Sequence, residues 1–200
     1  MAINLANNNS LANITALPSS ISGGAMTLLA TQTASGSANL SFTSGIDSTY
    51  DKYVFKFYNI HPATDGVTFE FQGSTNGGST YGVTITSSVF QAYHQENDAG
   101  AGIQYATNND LAQSTSFQKI TGDLGNLDDE CGSGILTIYN PSNTTFVKHF
   151  ISTENGQQNN EQSVNIFASG YFNTTSAVNS VRFSMSSGTF DGVIKLYGVS

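Results

Sequence analysis

Apolar and polar residues alternate in short runs along most of this chain, and such alternation predicts half-buried β-strands. In the run Lys52–Ile60, the odd-numbered positions from Tyr53 to Asn59 are expected on one side, and the even-numbered positions, which end at Ile60, on the other. Both sides carry apolar residues, which indicates a central strand or one that faces both a core and a subunit contact. Ten strands are predicted in this way: Met26–Ala34, Ala38–Phe42, Lys52–Ile60, Val67–Gly73, Tyr81–Thr86, Ile135–Asn140, Thr145–Ser152, Ser163–Phe172, Asn179–Ser186 and Val193–Val199.

The number and spacing of these strands favour an all-β fold. Strands that recur every 8–12 residues with turn residues between them are typical of sandwiches and barrels. We therefore predict an antiparallel β-sandwich that is jelly-roll-like and carries an extended N-terminal arm. The pattern does not define the strand order.

Residues 1–24 differ from the body, which we place at residues 25–200. Their apolar side chains lie among Asn, Ser and Ala without strand or helix spacing, and Pro18 and Gly23–Gly24 interrupt any long element. These side chains need a partner surface, so the segment is expected either to cross its own sandwich or to dock on a neighbouring chain. The candidate docking residues are Leu5, Leu11, Ile14, Leu17 and Ile21.

The stretch Ser87–Glu130 is the least regular part of the body and is predicted to be a loop-rich insert. Val89–Tyr93 and Ser116–Thr121 are possible strands inside it. Long surface loops are where binding residues concentrate. This insert is therefore the expected location of a recognition surface.

Composition and charge exclude several classes of function. The chain has 200 residues, 38% hydrophobic with 13 Phe and 9 Tyr, which is enough for a core. Six Lys and Arg against 14 acidic residues give a net charge of −8, which argues against nucleic acid and anionic membranes as partners.

Cys131 is the only cysteine, so no intramolecular disulfide is expected. The N-terminus lacks a basic region and a continuous apolar run, so no signal peptide is expected.

One acidic cluster is the only candidate for metal binding. Calcium binds six to eight oxygens from loops of this kind, but the spacing is not that of an EF-hand. The alternative is a solvated acidic loop, which is the more common case, so no cofactor is predicted and calcium is kept as the alternative. The cluster consists of Asp123, Asp128, Asp129 and Glu130.

The sequence does not support catalysis, and we predict that the protein is not an enzyme. His61, His94 and His149 are far apart, and Gly132-Ser133-Gly134 lacks the spacing of a nucleophile elbow. Glycoside hydrolysis needs two facing carboxylates. The sequence cannot pair the available ones, which are Asp65, Glu70, Glu154 and Glu161.

Three tyrosines in or near the insert, Tyr81, Tyr93 and Tyr105, are candidates for contact with a glycan. Aromatic rings in polar loops can stack on sugars, and neighbouring amides can bond to hydroxyls. The alternative is that these tyrosines form core or subunit contacts with a hydrated hydroxyl group.

Three phrases of the sequence resemble small jelly-roll-like virion proteins of tailed bacteriophages, especially marine and cyanobacterial ones. The first is the ending Gly192-x-Ile194-x-Leu196-Tyr197-Gly198, and the others are Tyr50–Phe55 with Asn59–Gly66, and Phe71–Ser74 with Gly77–Tyr81. The resemblance implies a multi-copy virion structural protein, which forms a tail fibre or knob or decorates the head. It implies other virion proteins as partners, but it carries no site residues.

These observations together predict a non-enzymatic virion protein, made in the host cytoplasm. Its arm would attach to the particle, and its sandwich would face outward as a homo-oligomer, for which we expect a trimer. One alternative is a lectin-like receptor-binding module for host polysaccharide, and another is a glycoside hydrolase.

Overall fold

The computed structural model describes residues 26–200, which form twelve strands in two antiparallel sheets. This confirms the predicted all-β sandwich; the arm and its docking residues lie outside the described residues. Within residues 26–200, no helix is long and apolar enough to cross a membrane. The strands are β1 Thr27–Ser37, β2 Asn39–Phe42, β3 Lys52–Pro62, β4 Phe69–Ser74, β5 Ile85–Gln95, β6 Ala101–Tyr105, β7 Gln118–Lys119, β8 Gly132–Tyr139, β9 Lys148–Gln158, β10 Gln162–Phe172, β11 Ser180–Met185 and β12 Phe190–Val199.

The two sheets are unequal in size. The large sheet has eight strands in the order β1-β12-β3-β8-β9-β10-β5-β6, and the small sheet has four in the order β2-β11-β4-β7. The small sheet does not cover all of the inner face of the large one. On edge strand β6, for example, Gln104 lies opposite the inward-facing Gln91 of β5 and is exposed.

Phenylalanine rings from both sheets fill the space between them. Phe183 of β11 packs edge-to-face against Phe55 of β3 at 5.2 Å between ring centroids, and it stacks on Phe69 of β4 at 5.6 Å. Phe71 of β4 meets Phe150 of β9 edge-to-face at 5.1 Å. Such pairs add to the hydrophobic stabilisation of the core. The core is therefore where many of the Phe residues of the chain are used.

The end of strand β3 differs from the predicted alternation. Asn59 is exposed, whereas Ile60 is fully buried, so the two residues have exchanged the sides expected for them. The cause is a β-bulge, because Asn59 has a φ of 50° and the pairing with β8 shifts between Phe57 and Ile60. An extra residue in a strand reverses the side of every residue that follows it.

The segment predicted as a loop-rich insert contains three strands. Strand β5 pairs with β10 over all eleven of its residues, and β6 extends the sheet by pairing with β5. The possible strand Val89–Tyr93 lies within β5, and the possible strand Ser116–Thr121 contains β7. Apolar residues occupy both faces of β5, as at Val89 and Phe90, and this concealed its full length. The strand predicted at Tyr81–Thr86 begins only at Ile85.

Candidate functional site

The outer face of the large sheet is unusually apolar. A row of outward positions, set by the strand register, runs across β6, β5 and β10 as Tyr105, Phe90 and Phe167. The rings of Phe90 and Phe167 stack on each other at 4.8 Å and an angle of 9°, yet 47% and 36% of these residues remain exposed. The row continues through Thr153 on β9 to Ile135 on β8.

Most of the large exposed hydrophobic residues of the described chain lie on this one face. Of the twelve in residues 26–200, nine point outward from the large sheet, and we call this set the apolar face: Leu28, Tyr58, Phe90, Ile103, Tyr105, Ile135, Tyr139, Ile151 and Phe167. The outer face of the small sheet is polar by contrast; there, Arg182 Nε donates a hydrogen bond to Ser41 Oγ at 2.9 Å. Exposed apolar residues concentrated on one face favour an interaction site there.

A shallow groove borders the apolar face. It has a volume of about 560 Å³ and is lined by Tyr139, His149 and Tyr171 together with several Ser and Thr hydroxyls. The rings of His149 and Tyr171 lie 5.9 Å apart on neighbouring strands. His149 therefore belongs to the outer surface of the sheet.

A second surface lies where the large sheet extends past the small one, and we call it the polar cleft. It has a volume of about 790 Å³ and opens beside the inner side of the β5–β6 edge. Its polar lining consists of Gln91, Gln104, Tyr105, Thr107, Asn108, Asn109, Lys119, Asp123 and Gln158.

Hydrogen bonds fix the wall of the polar cleft. Gln118 Nε2 donates to the carbonyl of Asn109 at 2.9 Å, and Lys119 Nζ donates to the carbonyl of Asn108 at 3.2 Å. Tyr105 donates its hydroxyl proton to Asp110 Oδ2 at 2.7 Å, and this bond raises the pKa of Tyr105. The loop between β6 and β7 is thereby held to β7 and to the edge of the large sheet.

The predicted acidic cluster does not converge. Asp123 is exposed at the polar cleft, and Asp128 and Asp129 are exposed. Glu130 is buried, and its Oε2 accepts a hydrogen bond from the backbone N–H of Leu127 at 2.7 Å. Among residues 26–200, no group of three or more His, Cys, Asp or Glu is arranged to hold a metal ion.

The three candidate tyrosines also lie in different places. Tyr81 donates or accepts a hydrogen bond with Ser180 Oγ at 2.8 Å, and the guanidinium of Arg182 lies 4.1 Å from its ring. Tyr93 is half-buried and packs beside Gly102. Only Tyr105 reaches the polar cleft.

The carboxylates considered for glycoside hydrolysis lie on separate parts of the sandwich. Glu70 is on the small sheet, where burial raises its pKa, and Asp65 is exposed in the β3–β4 loop. Glu161 is exposed after β9, and the nearby charge of Glu96 raises its pKa. Glu154 is buried, and the structure brings no two of these four to opposite sides of either surface described above.

Glu154 is the most unusual ionisable group of the described chain. It is 1% exposed, and neither carboxyl oxygen has a hydrogen-bond partner within residues 26–200. Its Oε1 lies against Gly132 and Gly156, and Leu124 packs against the same two glycines. Burial raises the pKa of Glu154 well above its ordinary value, because ionisation would leave an unpartnered charge in the core.

The cleft amides and the burial of Glu154 were missed in the sequence, although a signal existed. Glu154 follows Phe150 and Ser152 in strict alternation, which places all three on the inner face. Gln91 follows Val89 in the same way on β5.

No family model, curated protein or solved structure matches this chain.

Proposed function

We propose that this chain is a non-catalytic structural protein of a bacteriophage virion, present in several copies that associate through the apolar face. The virion assignment is supported by the three sequence phrases that resemble phage proteins. The association is supported by one observation above all, which is the concentration of exposed apolar side chains on the outer face of the large sheet. Water-exposed apolar surface is costly, and burial against another subunit removes that cost.

The size of the apolar face is compatible with a stable interface. Eight strands about 4.8 Å apart span roughly 34 Å, and three rows of outward residues give roughly 700 Å². A standard protein interface buries about 800 Å² on each partner. The whole outer face of the large sheet is therefore close in area to one side of a standard interface.

The ring geometry on this face favours a protein partner over a sugar. Phe90 and Phe167 stack on each other, so one face of each ring is covered within the subunit. A sugar stacks on a free ring face, and the stacking leaves fewer such faces. Aromatic and aliphatic side chains grouped on one surface instead pack against a similar surface on another subunit.

Sedimentation velocity tests the association directly. The double variant Phe90→Ser/Phe167→Ser is expected to weaken self-association at least tenfold, because each Phe contributes about 1–3 kcal/mol of burial. The matched control is Phe146→Ser, which removes a Phe that is 69% exposed but lies outside the apolar face. Equal effects of the two variants, or a wild-type monomer at high micromolar concentration, would refute the proposed interface.

The N-terminal segment is proposed to attach the protein to the particle, with the sandwich facing outward. The support is the sequence of residues 1–24, where apolar residues occur without a charged side chain. Deletion of residues 2–24 is expected to abolish incorporation into particles and to leave the circular dichroism spectrum of the sandwich unchanged. Normal incorporation of the truncated protein would exclude this role.

A second function, recognition of host polysaccharide, is favoured by the polar cleft. This surface is concave, and it lies in the region where the sequence predicts recognition. Purified protein is then expected to compete with phage for adsorption to host cells. Unchanged adsorption at saturating protein would count against this function and leave the structural one intact.

A further inference from the structure

We propose that the polar cleft binds a neutral, hydroxyl-rich glycan without a metal ion. The proposal rests on the recognition function and specifies its site and ligand. It shifts the site away from the three tyrosines, of which only Tyr105 lines the cleft, to the amide side chains around it.

The cleft has the size of a ligand site, and its wall is already in place. Its volume of about 790 Å³ falls within the range of roughly 300–1,000 Å³ that small-molecule sites occupy. The loop that forms the wall is fixed by the bonds from Gln118 and Lys119 described above, and Asn109 Nδ2 also donates to the carbonyl of Thr121 at 3.3 Å. A preformed wall lowers the conformational entropy lost on binding.

A glycine also shapes the cleft. Gly122 is one of its lining residues, and a Cβ at that position would collide with the side-chain amide of Gln158. The absence of a side chain at Gly122 lets the Gln158 amide lie at the cleft, although Gln158 is otherwise buried. The site thus combines amides from β5, β6, β9 and the β6–β7 loop.

The chemistry of the lining selects the class of ligand. Each Gln and Asn side chain offers a carbonyl acceptor and an NH₂ donor, which suits sugar hydroxyls because they both donate and accept. Gln91 and Gln104 lie directly opposite each other on β5 and β6 and present two such amides together. The lining is mostly polar, which disfavours an apolar ligand.

The charges around the cleft disfavour anionic ligands. Its one ammonium group, on Lys119, donates to the Asn108 carbonyl, whereas Asp110 and Asp123 add negative charge at or beside the rim. Uronic or sialic acids and phosphates would therefore be repelled on a chain of net charge −8. The cleft is lined by a single carboxylate, Asp123, whereas calcium needs six to eight oxygens.

Titration by NMR tests the proposal with defined probes. The labelled full-length protein is titrated with glucose, galactose, mannose and N-acetylglucosamine, with their neutral disaccharides, and with glucuronic acid, all in the presence of EDTA. At least one neutral sugar is expected to shift the side-chain amide signals of Gln104 and Asn108, with a dissociation constant of roughly 1 mM, as expected for about a dozen non-hydrogen atoms. Glucuronic acid is expected to shift neither.

Variants separate a cleft site from binding elsewhere. Gln104→Ala/Asn108→Ala is expected to weaken binding at least tenfold, whereas Asn39→Ala, which removes an exposed amide on β2, should leave it unchanged. Absence of any shift with the neutral sugars in EDTA, equal shifts with glucuronic acid, or equal effects of the two variants would overturn the proposal. Sugar binding without competition for host adsorption would keep the cleft site and reject the recognition function.

Discussion

The buried carboxyl of Glu154 makes the stability of this protein depend on pH in an unusual direction. In the unfolded chain the carboxyl titrates near its ordinary pKa of 4.5. In the folded chain burial raises the pKa well above that value, so between the two pKa values the folded state holds a proton that the unfolded state has lost. The stability is therefore complete below about pH 4.5 and falls as the pH rises towards the folded-state pKa.

The size of this effect follows from linkage. Each pH unit between the two pKa values removes about 1.4 kcal/mol from the free energy of unfolding. Glu154→Gln keeps the shape and removes the titration, so the variant is expected to match the wild type closely at pH 4.5 and to exceed it in stability by a margin that grows with pH until the folded-state pKa is reached. Glu154→Met also removes the unpartnered polar atoms, which should add about 1–3 kcal/mol at all pH values.

Urea denaturation followed by circular dichroism from pH 4.5 to pH 8 measures these differences. The control is Asp128→Asn, which neutralises an exposed carboxylate and should leave the slope of the wild type in place. A difference between wild type and Glu154→Gln that does not change with pH would refute the reasoning. So would a Glu154→Gln protein that is less stable than the wild type at pH 8, because that would mean the carboxylate is stabilised by a partner.

Three further substitutions test the packing by urea denaturation. Tyr53→Phe removes a buried hydroxyl that donates to the Asp47 carbonyl at 3.0 Å, and it should cost about 1–2 kcal/mol; no loss would mean that this bond is not formed in solution. Asn59 lies at the bulge with a φ of 50°, so Asn59→Val should lower the free energy of unfolding by about 1–3 kcal/mol and Asn59→Gly by much less. Equal losses for the two variants would argue against the bulge. Gly134→Ala places a Cβ against a backbone carbonyl of β9, and it should lower the free energy of unfolding by about 1–3 kcal/mol. The control is Gly100→Ala, where a Cβ has ordinary space and the loss should be smaller.

Alternation was sufficient to predict the fold class and most of the strands. Lys148 and Phe150 point inward and His149 points outward, as the sequence pattern required. The buried Lys148 is tolerated because its ammonium group donates to the carbonyls of Phe146 and Thr174. Local pattern predicts such a side chain's direction, but its partners depend on the tertiary fold.

The two candidate surfaces could not be predicted because they depend on strand order. Tyr105, Phe90 and Phe167 form one row only because β6, β5 and β10 are neighbours, although Tyr105 and Phe167 are 62 positions apart in the sequence. The polar cleft exists because one sheet has eight strands and the other four. Neither the pairing nor the difference in sheet size is encoded in a local pattern.

Immunogold labelling of purified phage particles tests the virion assignment most directly, with an antibody to residues 106–130, which lie outside the apolar face. Label is expected at repeated positions on the particle, because the protein is proposed to be present in several copies with the sandwich facing outward. Label at the tail tip or fibres would support host recognition as well, and label over the head would support decoration. Unlabelled particles, with an antibody that binds the purified protein, would contradict the claim.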